Sequence, residues 1–423
     1  MKQDFERFDM VARPRRTKWY LRPLTIAMSL PAVLRHRTQI AKTGVEGLRP
    51  PYVLLCNHNA FMDFKVATRA IWPHRANYVV AIDGFIGREK LLRDVGCICK
   101  RKFTNDLTLV RHLAQTIKNG DVAVIYPEAR YSLCGTTAVL PESLGSLCKL
   151  LRSPVVTLIC HGHHVNSPFW HVGDRGVAPT EAEFSLLFTP EQLKAMPLEE
   201  INRRIVQAFQ YDDFRWQKER GIRVNDPHRA EGLEKVLYQC PACGAEFRMT
   251  SAGSRLRCAA CQKSWFMTEL GELRADEGPT EFSHIPDWYE WERANVRDEV
   301  ARGVYSSGEL AVTVDSLPNA RGFIRLGEGV MTHDMNGFAV RGRDADGDPF
   351  EMIKPVSSLY SCHIEYNYLG KHGDCVDLNT LQDTWYTYPH GDRFSVTKMA
   401  LATEELYFAW RRAEGRPCPP GLA

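Results

Sequence analysis

Residues 52–63 read Tyr52-Val-Leu-Leu-Cys-Asn-His-Asn-Ala-Phe-Met-Asp63, an apolar run that stops at Asn57 and His58. Two prolines bound the run upstream, and its length suits a strand that is covered on both faces. The residues after Asn59 suit the start of a helix. His58 is therefore predicted at the carboxyl end of a buried strand, where open α/β sheets bind their ligands.

A histidine at such a position can take a proton from a hydroxyl if a carboxylate holds its other ring nitrogen. Asp63, five residues later, is the candidate carboxylate. The two side chains meet only if His58 lies in the turn before the helix and Asp63 lies in its first turns. From this stretch alone a second interpretation stays open, in which Asn57 and His58 simply end a strand.

The composition is that of a globular protein. The chain has 423 residues, of which 25% are charged and 44% hydrophobic, which allows roughly two to four domains. Its formal net charge is only +3, so affinity for anionic surfaces has to come from local clusters. The thirteen cysteines follow no secretory signal peptide, which favours a reducing cytoplasm over a disulfide scaffold.

Residues 1–45 are predicted to form an N-terminal membrane-interface segment. Basic residues between Arg13 and Arg37 flank Trp19, Tyr20 and an interrupted apolar stretch. The stretch is too short to span a bilayer, which needs about 20 apolar residues. It fits a segment lying on anionic lipids, and equally an amphipathic helix packed on the domain that follows.

Further buried strands are predicted at 77–82, 122–126 and 153–160, and polar motifs lie at or near their ends. A short apolar strand, Gly96-Cys-Ile-Cys99, runs into three consecutive basic residues, Lys100, Arg101 and Lys102. The strand at 122–126 runs into Pro127-Glu128-Ala129-Arg130-Tyr131-Ser132. The strand at 153–160 is entered through a proline.

Taken in order over residues 50–165, these motifs resemble the glycerolipid acyltransferase family, typified by 1-acylglycerol-3-phosphate acyltransferases. Asn57-His58-x4-Asp63 resembles its first motif, with Ala60 where many members carry serine. The resemblance implies an α/β domain over residues 46–228, a mostly parallel sheet flanked by helices. It also implies an O-acyltransferase in which His58 is the base and Asp63 orients it.

The implied reaction moves a fatty acyl group from a thioester, either acyl-CoA or acyl-carrier protein, to a hydroxyl of a lysophospholipid. The simplest acceptor is lysophosphatidic acid, in phospholipid synthesis. Predicted substrate-binding residues are Asn57, Lys100, Arg101, Lys102, Glu128, Arg130 and Ser132. Arg101 is the preferred phosphate ligand of the second motif because a guanidinium grips phosphate bidentately, and a solvated basic turn is its alternative.

The third motif departs from the family pattern. Glu128 and Ser132 keep their places, whereas Ala129 replaces glycine, Arg130 takes the threonine position and Tyr131 takes the arginine position. Glu128 also fits a buried carboxylate paired with an arginine. The departure leaves two alternatives open, an acyltransferase for a different glycerolipid acceptor and a non-enzymatic adaptor with a vestigial core.

Four histidines, His161, His163, His164 and His171, follow the last of these strands. Only Asp174 adds another ligand type at suitable spacing, so the pattern does not favour a metal site there.

Cysteines give a stronger metal signal at 229–275. Cys240-Pro-Ala-Cys243 and Cys258-Ala-Ala-Cys261 have the spacing of a zinc ribbon. Four thiolates leave no open coordination position, so the predicted zinc is structural. Glutamates dilute the basic residues of this segment, so we expect contact with protein and not with nucleic acid.

Residues 285–423 are predicted to be β-rich with a terminal helix, after an acidic linker at 275–290. Short alternating runs followed by one helix, 395–412, resemble a pleckstrin-homology-like roll by pattern alone. The whole chain is expected in the cytoplasm, held peripherally on the inner face of the cell membrane.

Overall fold

The computed structural model describes residues 6–370 and 372–416. Within them the strands form three sheets. Parts of the predicted segments 1–45 and 285–423 lie outside the described residues. Cys418 also lies outside them.

The first sheet has seven strands, in the order β1-β7-β6-β2-β5-β3-β4. Five of them, β6, β2, β5, β3 and β4, run parallel, and β7 and β1 run the opposite way. The sheet is therefore mixed, and its α/β class with flanking helices is as predicted. In chain order the strands are β1 Gln39–Thr43, β2 Tyr52–Cys56, β3 Ala76–Ala81, β4 Ile98–Lys100, β5 Val122–Ile125, β6 Val155–His161 and β7 Glu181–Phe188.

Nine helices accompany this sheet in the described residues. They are α1 Arg22–Arg35, α2 Met62–Ile71, α3 Glu89–Asp94, α4 Leu107–Lys118, α5 Ser143–Leu151, α6 His163–Asn166, α7 Pro190–Ala195, α8 Leu198–Ala208 and α9 Asp213–Glu219. Successive side chains of a strand point to opposite faces. In β2 they alternate between two separate hydrophobic cores, Leu54 in one and Val53 and Leu55 in the other. The buried central strand predicted at Tyr52–Cys56 is confirmed.

The second sheet is a small antiparallel one that carries the four clustered cysteines. Its strands are β8 Met249–Ala252, β9 Arg255–Cys258, β10 Ser264–Met267 and β11 Leu273–Ala275. Helix α10, Ile285–Ala301, follows and packs Trp288 on Trp265, with ring centroids 5.0 Å apart. The helix begins at Ile285, within the segment 275–290 that was predicted to be a linker, because Pro286 in its first turn lacks an N–H that would go unpaired there anyway.

The third sheet is antiparallel, in the order β15-β14-β13-β12-β18-β17-β16. Its strands are β12 Ser306–Ser316, β13 Ile324–Asp334, β14 Gly337–Arg343, β15 Pro349–Pro355, β16 His363–Glu365, β17 Cys375–Asn379 and β18 Thr384–Pro389, and α11, Val396–Ala413, follows. One hydrophobic core joins this sheet, α10, α11 and the second sheet to Phe103 and Leu133, which lie just past β4 and β5. The C-terminal part therefore sits against the carboxyl edge of the first sheet.

Candidate active site

The turn after β2 is fixed by Asn57. Its side-chain amide donates to the Cys160 carbonyl at 2.9 Å and its oxygen accepts from the Cys160 N–H at 2.8 Å. Asn57 is fully buried, so both polar atoms are used inside the protein. The side chain bridges β2 to β6 and sets the point at which His58 leaves the sheet.

His58 and Asp63 meet as the sequence predicted. His58 lies in the turn, Asp63 is the second residue of α2, and Nδ1 of His58 lies 3.4 Å from Oδ2 of Asp63. That separation is longer than a well-formed hydrogen bond, although such contacts often tighten once substrate binds. The imidazole is 22% exposed whereas the carboxylate is fully buried. One face of the pair therefore reaches solvent.

Asp63 is ionised in spite of its burial. The same Oδ2 accepts from the backbone N–H groups of Asn59 and Ala60 at 2.6 and 2.9 Å. Burial acts to raise the pKa of Asp63, but the hydrogen bond from His163 and the contact with His58 outweigh it and hold the pKa at about 2.

Two tyrosine rings hold the His58 imidazole between them. Tyr126 and Tyr131 have ring centroids 4.3 and 4.4 Å from that of His58. Tyr131 also lies 6.1 Å from Phe169, which in turn contacts Tyr366 beyond β16. The residue at the arginine position of the third motif thus packs on the candidate base.

The loop of the third motif supports His58 from behind. Ala129, where the family carries glycine, has a φ of 56°, a left-handed conformation that favours glycine. Glu128 is fully buried and accepts from the His58 N–H at 3.0 Å, the Ala138 N–H at 2.9 Å and the Tyr211 hydroxyl at 3.2 Å. Burial raises the pKa of Glu128 to about 8 in spite of these donors.

Ser132 belongs to the same support. Its N–H donates to the His58 carbonyl at 2.8 Å, and its hydroxyl donates to the Thr136 carbonyl at 2.5 Å. The structure therefore brings Asn57, His58, Asp63, Glu128 and Ser132 together. Of the five, only His58 is more than slightly exposed.

The four predicted cations have partners elsewhere in the protein. Arg101 is 1% exposed and donates to the carbonyls of Leu317 and Pro318 and to the Thr384 hydroxyl, all at the third sheet. Arg130 pairs with Glu404 of α11 at 2.7 Å. Their binding of an acceptor phosphate stays a prediction.

The two lysines are also engaged. Lys100 donates to the Thr104 carbonyl at 2.5 Å, and burial lowers its pKa to about 8. Lys102 lies 3.5 Å from Asp83, 3.4 Å from Asp377 and 3.0 Å from His363 Nε2. Burial opposes the charge of Lys102, and the two carboxylates outweigh it and raise the pKa.

Sequence reasoning missed two groups of this site. His163 donates from Nδ1 to Oδ1 of Asp63 at 2.5 Å and is fully buried. Tyr211 hydrogen-bonds the side chains of Asn59 and Glu128. A signal for His163 was present, because it comes directly after a strand that ends at the same edge as β2.

The cysteine cluster has the geometry of a closed four-thiolate site. The Sγ atoms of Cys240 and Cys261 lie 3.7 Å apart, and those of Cys243 and Cys258 lie 3.8 Å apart. Zn–S bonds of about 2.3 Å in a tetrahedron require sulfur separations of about 3.8 Å. The residues present therefore fit a metal ion of that kind.

Ion pairs hold the segment that leads into α1 against the sheet domain. Arg15 and Lys18 pair with Asp94, and Arg16 pairs with Asp121. Large apolar side chains point outward, namely Trp19, Tyr20, Leu24, Met28 and Leu34. Of the described helices, none is both long enough and apolar enough to cross a membrane.

A comparison with protein families matches one region of the chain. Residues 37–161, from just before β1 to the end of β6, match the model of the acyltransferase family. Among solved structures, a 1-acyl-sn-glycerophosphate (LPA) acyltransferase from Thermotoga maritima aligns with 45% of this chain and 76% of its own, at 15% identity and a TM-score of 0.36. The comparison with curated proteins finds no match.

Proposed function

Residues 37–161 are an acyltransferase domain, and from this premise we propose that the protein transfers a fatty acyl group from an acyl thioester to a hydroxyl of a glycerolipid. One observation carries the proposal: of the three fixed residues of its motif, Asn57, His58 and Asp63, only His58 reaches solvent, with the buried, ionised Asp63 at its Nδ1. Nε2, on the far side of the ring, is the nitrogen left for a substrate.

The proposed chemistry is general base catalysis without an acyl-enzyme. Nε2 of His58 takes the proton of the acceptor hydroxyl as its oxygen attacks the thioester carbonyl. The C–S bond then breaks, and the leaving thiolate takes the proton back from the imidazolium. Asp63 keeps the ring oriented and stabilises its charged form between these steps.

Lysophosphatidic acid is the first acceptor to test, with acyl-CoA or acyl-carrier protein as the donor. A second candidate is a glycerolipid acceptor that lacks a phosphomonoester. A specific observation favours it: Arg101, Arg130 and Lys102 are all paired within the protein. A phosphomonoester would have to compete with those partners.

The test is an acyl-transfer assay with purified protein in vesicles. Each donor is offered with lysophosphatidic acid, with lysophosphatidylcholine and with monoacylglycerol, and the ester product is measured. We expect transfer to at least one acceptor, and the order of the three separates the two candidates. No ester from any combination, with folded protein, would leave the non-enzymatic adaptor.

We also propose that the exposed face of α1 holds the protein on the inner face of the cell membrane. Leu24 and Met28 are spaced four apart and share one face of α1, and the exposed Trp19 and Tyr20 lie in the 3-10 turn that precedes the helix. Binding to anionic vesicles should exceed binding to neutral ones and weaken with salt. Met28→Ser should weaken it, whereas Val172→Ser, at an exposed apolar residue elsewhere, should not.

The metal proposed for the cysteine cluster is one structural zinc per chain. Four thiolates at this separation prefer zinc to harder cations. Elemental analysis of reduced protein should find about one zinc per chain. Cys243→Ser should lose it, and Cys148→Ser, at a buried cysteine outside the cluster, should keep it.

A further inference from the structure

Asp63 serves two histidines and not one. Its Oδ2 faces His58, and its Oδ1 accepts from Nδ1 of His163 at 2.5 Å. His163 comes from α6, one hundred residues further along the chain. Both contacts lie at the edge of the sheet where β2 and β6 have their carboxyl ends.

The two oxygens are held very differently. Oδ2 already accepts two backbone N–H groups, from Asn59 and Ala60, which leaves it a limited direction in which to meet His58. In the described residues the only hydrogen bond to Oδ1 is the one from His163. A carboxylate can rotate about its terminal bond, so the His163 donor on Oδ1 acts together with the two N–H groups on Oδ2 to fix where Oδ2 points.

In the described part of the chain, the His163 side chain makes no hydrogen bond other than the one to Asp63. That side chain is fully buried, and its Nε2 has no hydrogen-bond partner among residues 6–370 and 372–416. A buried polar atom left unpaired is costly, so a purely structural role would be better filled by an apolar side chain. The contact with Asp63 is what the imidazole adds.

We propose that His163 is a positioning residue for the transfer reaction, which holds the Asp63 carboxylate so that Oδ2 faces Nδ1 of His58. The inference rests on the proposed function. His163 touches no substrate in this arrangement. Its effect passes through Asp63 to the orientation of the His58 ring, and misplacing a catalytic group by about 1 Å can cost about a hundredfold in rate.

The first test compares three variants in the acyl-transfer assay. His163→Leu removes the donor and should lower kcat by roughly 10- to 100-fold with little change in either KM. His163→Asn can place an amide N–H where Nδ1 lies and should recover most of kcat. His164→Leu is the matched control, since His164 is equally buried and does not contact Asp63.

A double-mutant cycle separates positioning from packing. If His163 acts through Asp63, then His163→Leu should cost little once Asp63→Asn is already present. Equal losses in both backgrounds, an Asn variant no better than Leu, or full kcat in folded His163→Leu would each overturn the proposal.

Two readouts do not depend on turnover. Ring-labelled ¹⁵N NMR should show the Nδ1–H tautomer of His58 in the wild type and its loss in His163→Leu but not in His164→Leu. If the wild type transferred no acyl group, this result would still support the coupling while the proposed function failed. An unchanged tautomer would overturn the coupling.

A measurement of metal content tests the alternative that His163 is a metal ligand. Ligand atoms of Asp63, Cys160 and His163 all lie within 4.8 Å of one another. We expect the metal content of His163→Asn to equal that of the wild type. Loss of a metal ion in that variant would make His163 a ligand and overturn its role as a hydrogen-bond donor.

Discussion

Two strand ends on the same edge of the first sheet carry polar motifs and use them in opposite ways. After β2, His58 is 22% exposed with a buried carboxylate behind it. After β4, Arg101 is 1% exposed, and its donors reach Leu317 and Thr384, which are 216 and 283 residues away. The first end faces solvent, and the second is covered by the third sheet.

The difference shows what residue type at a strand end can and cannot tell. A motif whose members lie five residues apart brings its own partner, because the turn and the next helix place Asp63 behind His58. A cation alone has no local partner, so its role depends on which distant segment packs against it. The predictions below test whether the β2 end is chemical and the β4 end structural.

The largest effect is expected at His58. His58→Ala removes the proposed base, and a positioned base typically contributes about 10²- to 10⁴-fold in rate. The loss should appear in kcat, with the fold and the metal content unchanged, because the ring is 22% exposed and lies at the rim of the sheet, so its contacts with Tyr126 and Tyr131 add less to stability than a core contact would.

The matched control is His171→Ala. Its Nε2 lies 3.7 Å from Asp226, and its side chain is 19% exposed, close to the values at His58. It should keep full turnover. Undiminished transfer by folded His58→Ala would show that another group is the base. The proposal that the β2 end carries the chemistry would then be wrong.

A smaller effect is expected at Tyr131, whose ring packs on His58. Aromatic pairs contribute about 0.5–1.5 kcal/mol, so Tyr131→Ala should lower kcat by no more than roughly tenfold. Tyr131→Phe keeps the ring and should keep kcat. A Phe variant as slow as the Ala variant would give the hydroxyl a role in the reaction.

Arg101 should affect stability more than turnover. Arg101→Ala leaves two buried carbonyls and a hydroxyl without their donor, a loss of about 1–3 kcal/mol in the free energy of unfolding. Urea unfolding checks this against Arg88→Ala, at an exposed arginine. A raised KM for lysophosphatidic acid alone, with stability intact, would instead put Arg101 at the acceptor phosphate.

The same contrast between local and distant partners explains which parts of the fold could be predicted from the sequence. The central strand β2 was predicted with its bounds, because a fully buried strand is a continuous apolar run between clear stops. Strands β1 and β7 were missed. β1 exposes four of its five residues and β7 alternates glutamate with apolar residues, so neither gives an apolar run.

The site divides likewise. His58 and Asp63 were predicted from their local spacing together with the order of the motifs, and Glu128 was predicted from its motif. His163 was noticed only as one of four histidines, because nothing local shows that α6 returns to Asp63 across one hundred residues. The partners of Arg101 and Arg130 lie even further along the chain. No sequence motif predicts how those distant segments pack.

The smallest effect on turnover is expected at Glu128, which supports His58 only through the backbone. Burial raises its pKa to about 8 from 4.5, and the N–H donors of Ala138 and His58 offset this only in part. Between those pH values the unfolded chain has lost the proton while the folded protein keeps it. Because the folded state binds more protons, stability falls as pH rises from about 4.5 to about 8.

Glu128→Gln is neutral at every pH, so it should remove this slope and leave kcat nearly unchanged. With the new amide oxygen towards the His58 N–H, the Tyr211 hydroxyl can turn to accept from the amide nitrogen, and the Ala138 N–H loses its acceptor, a cost in stability that does not vary with pH. Urea unfolding of both proteins from pH 5 to pH 8.5 gives the free energy of unfolding of each. The value for the variant should rise relative to that of the wild type as the pH rises. Parallel curves would mean that Glu128 is ionised in the folded protein, and a loss of kcat matching that of His58→Ala would make it part of the chemistry at the β2 end.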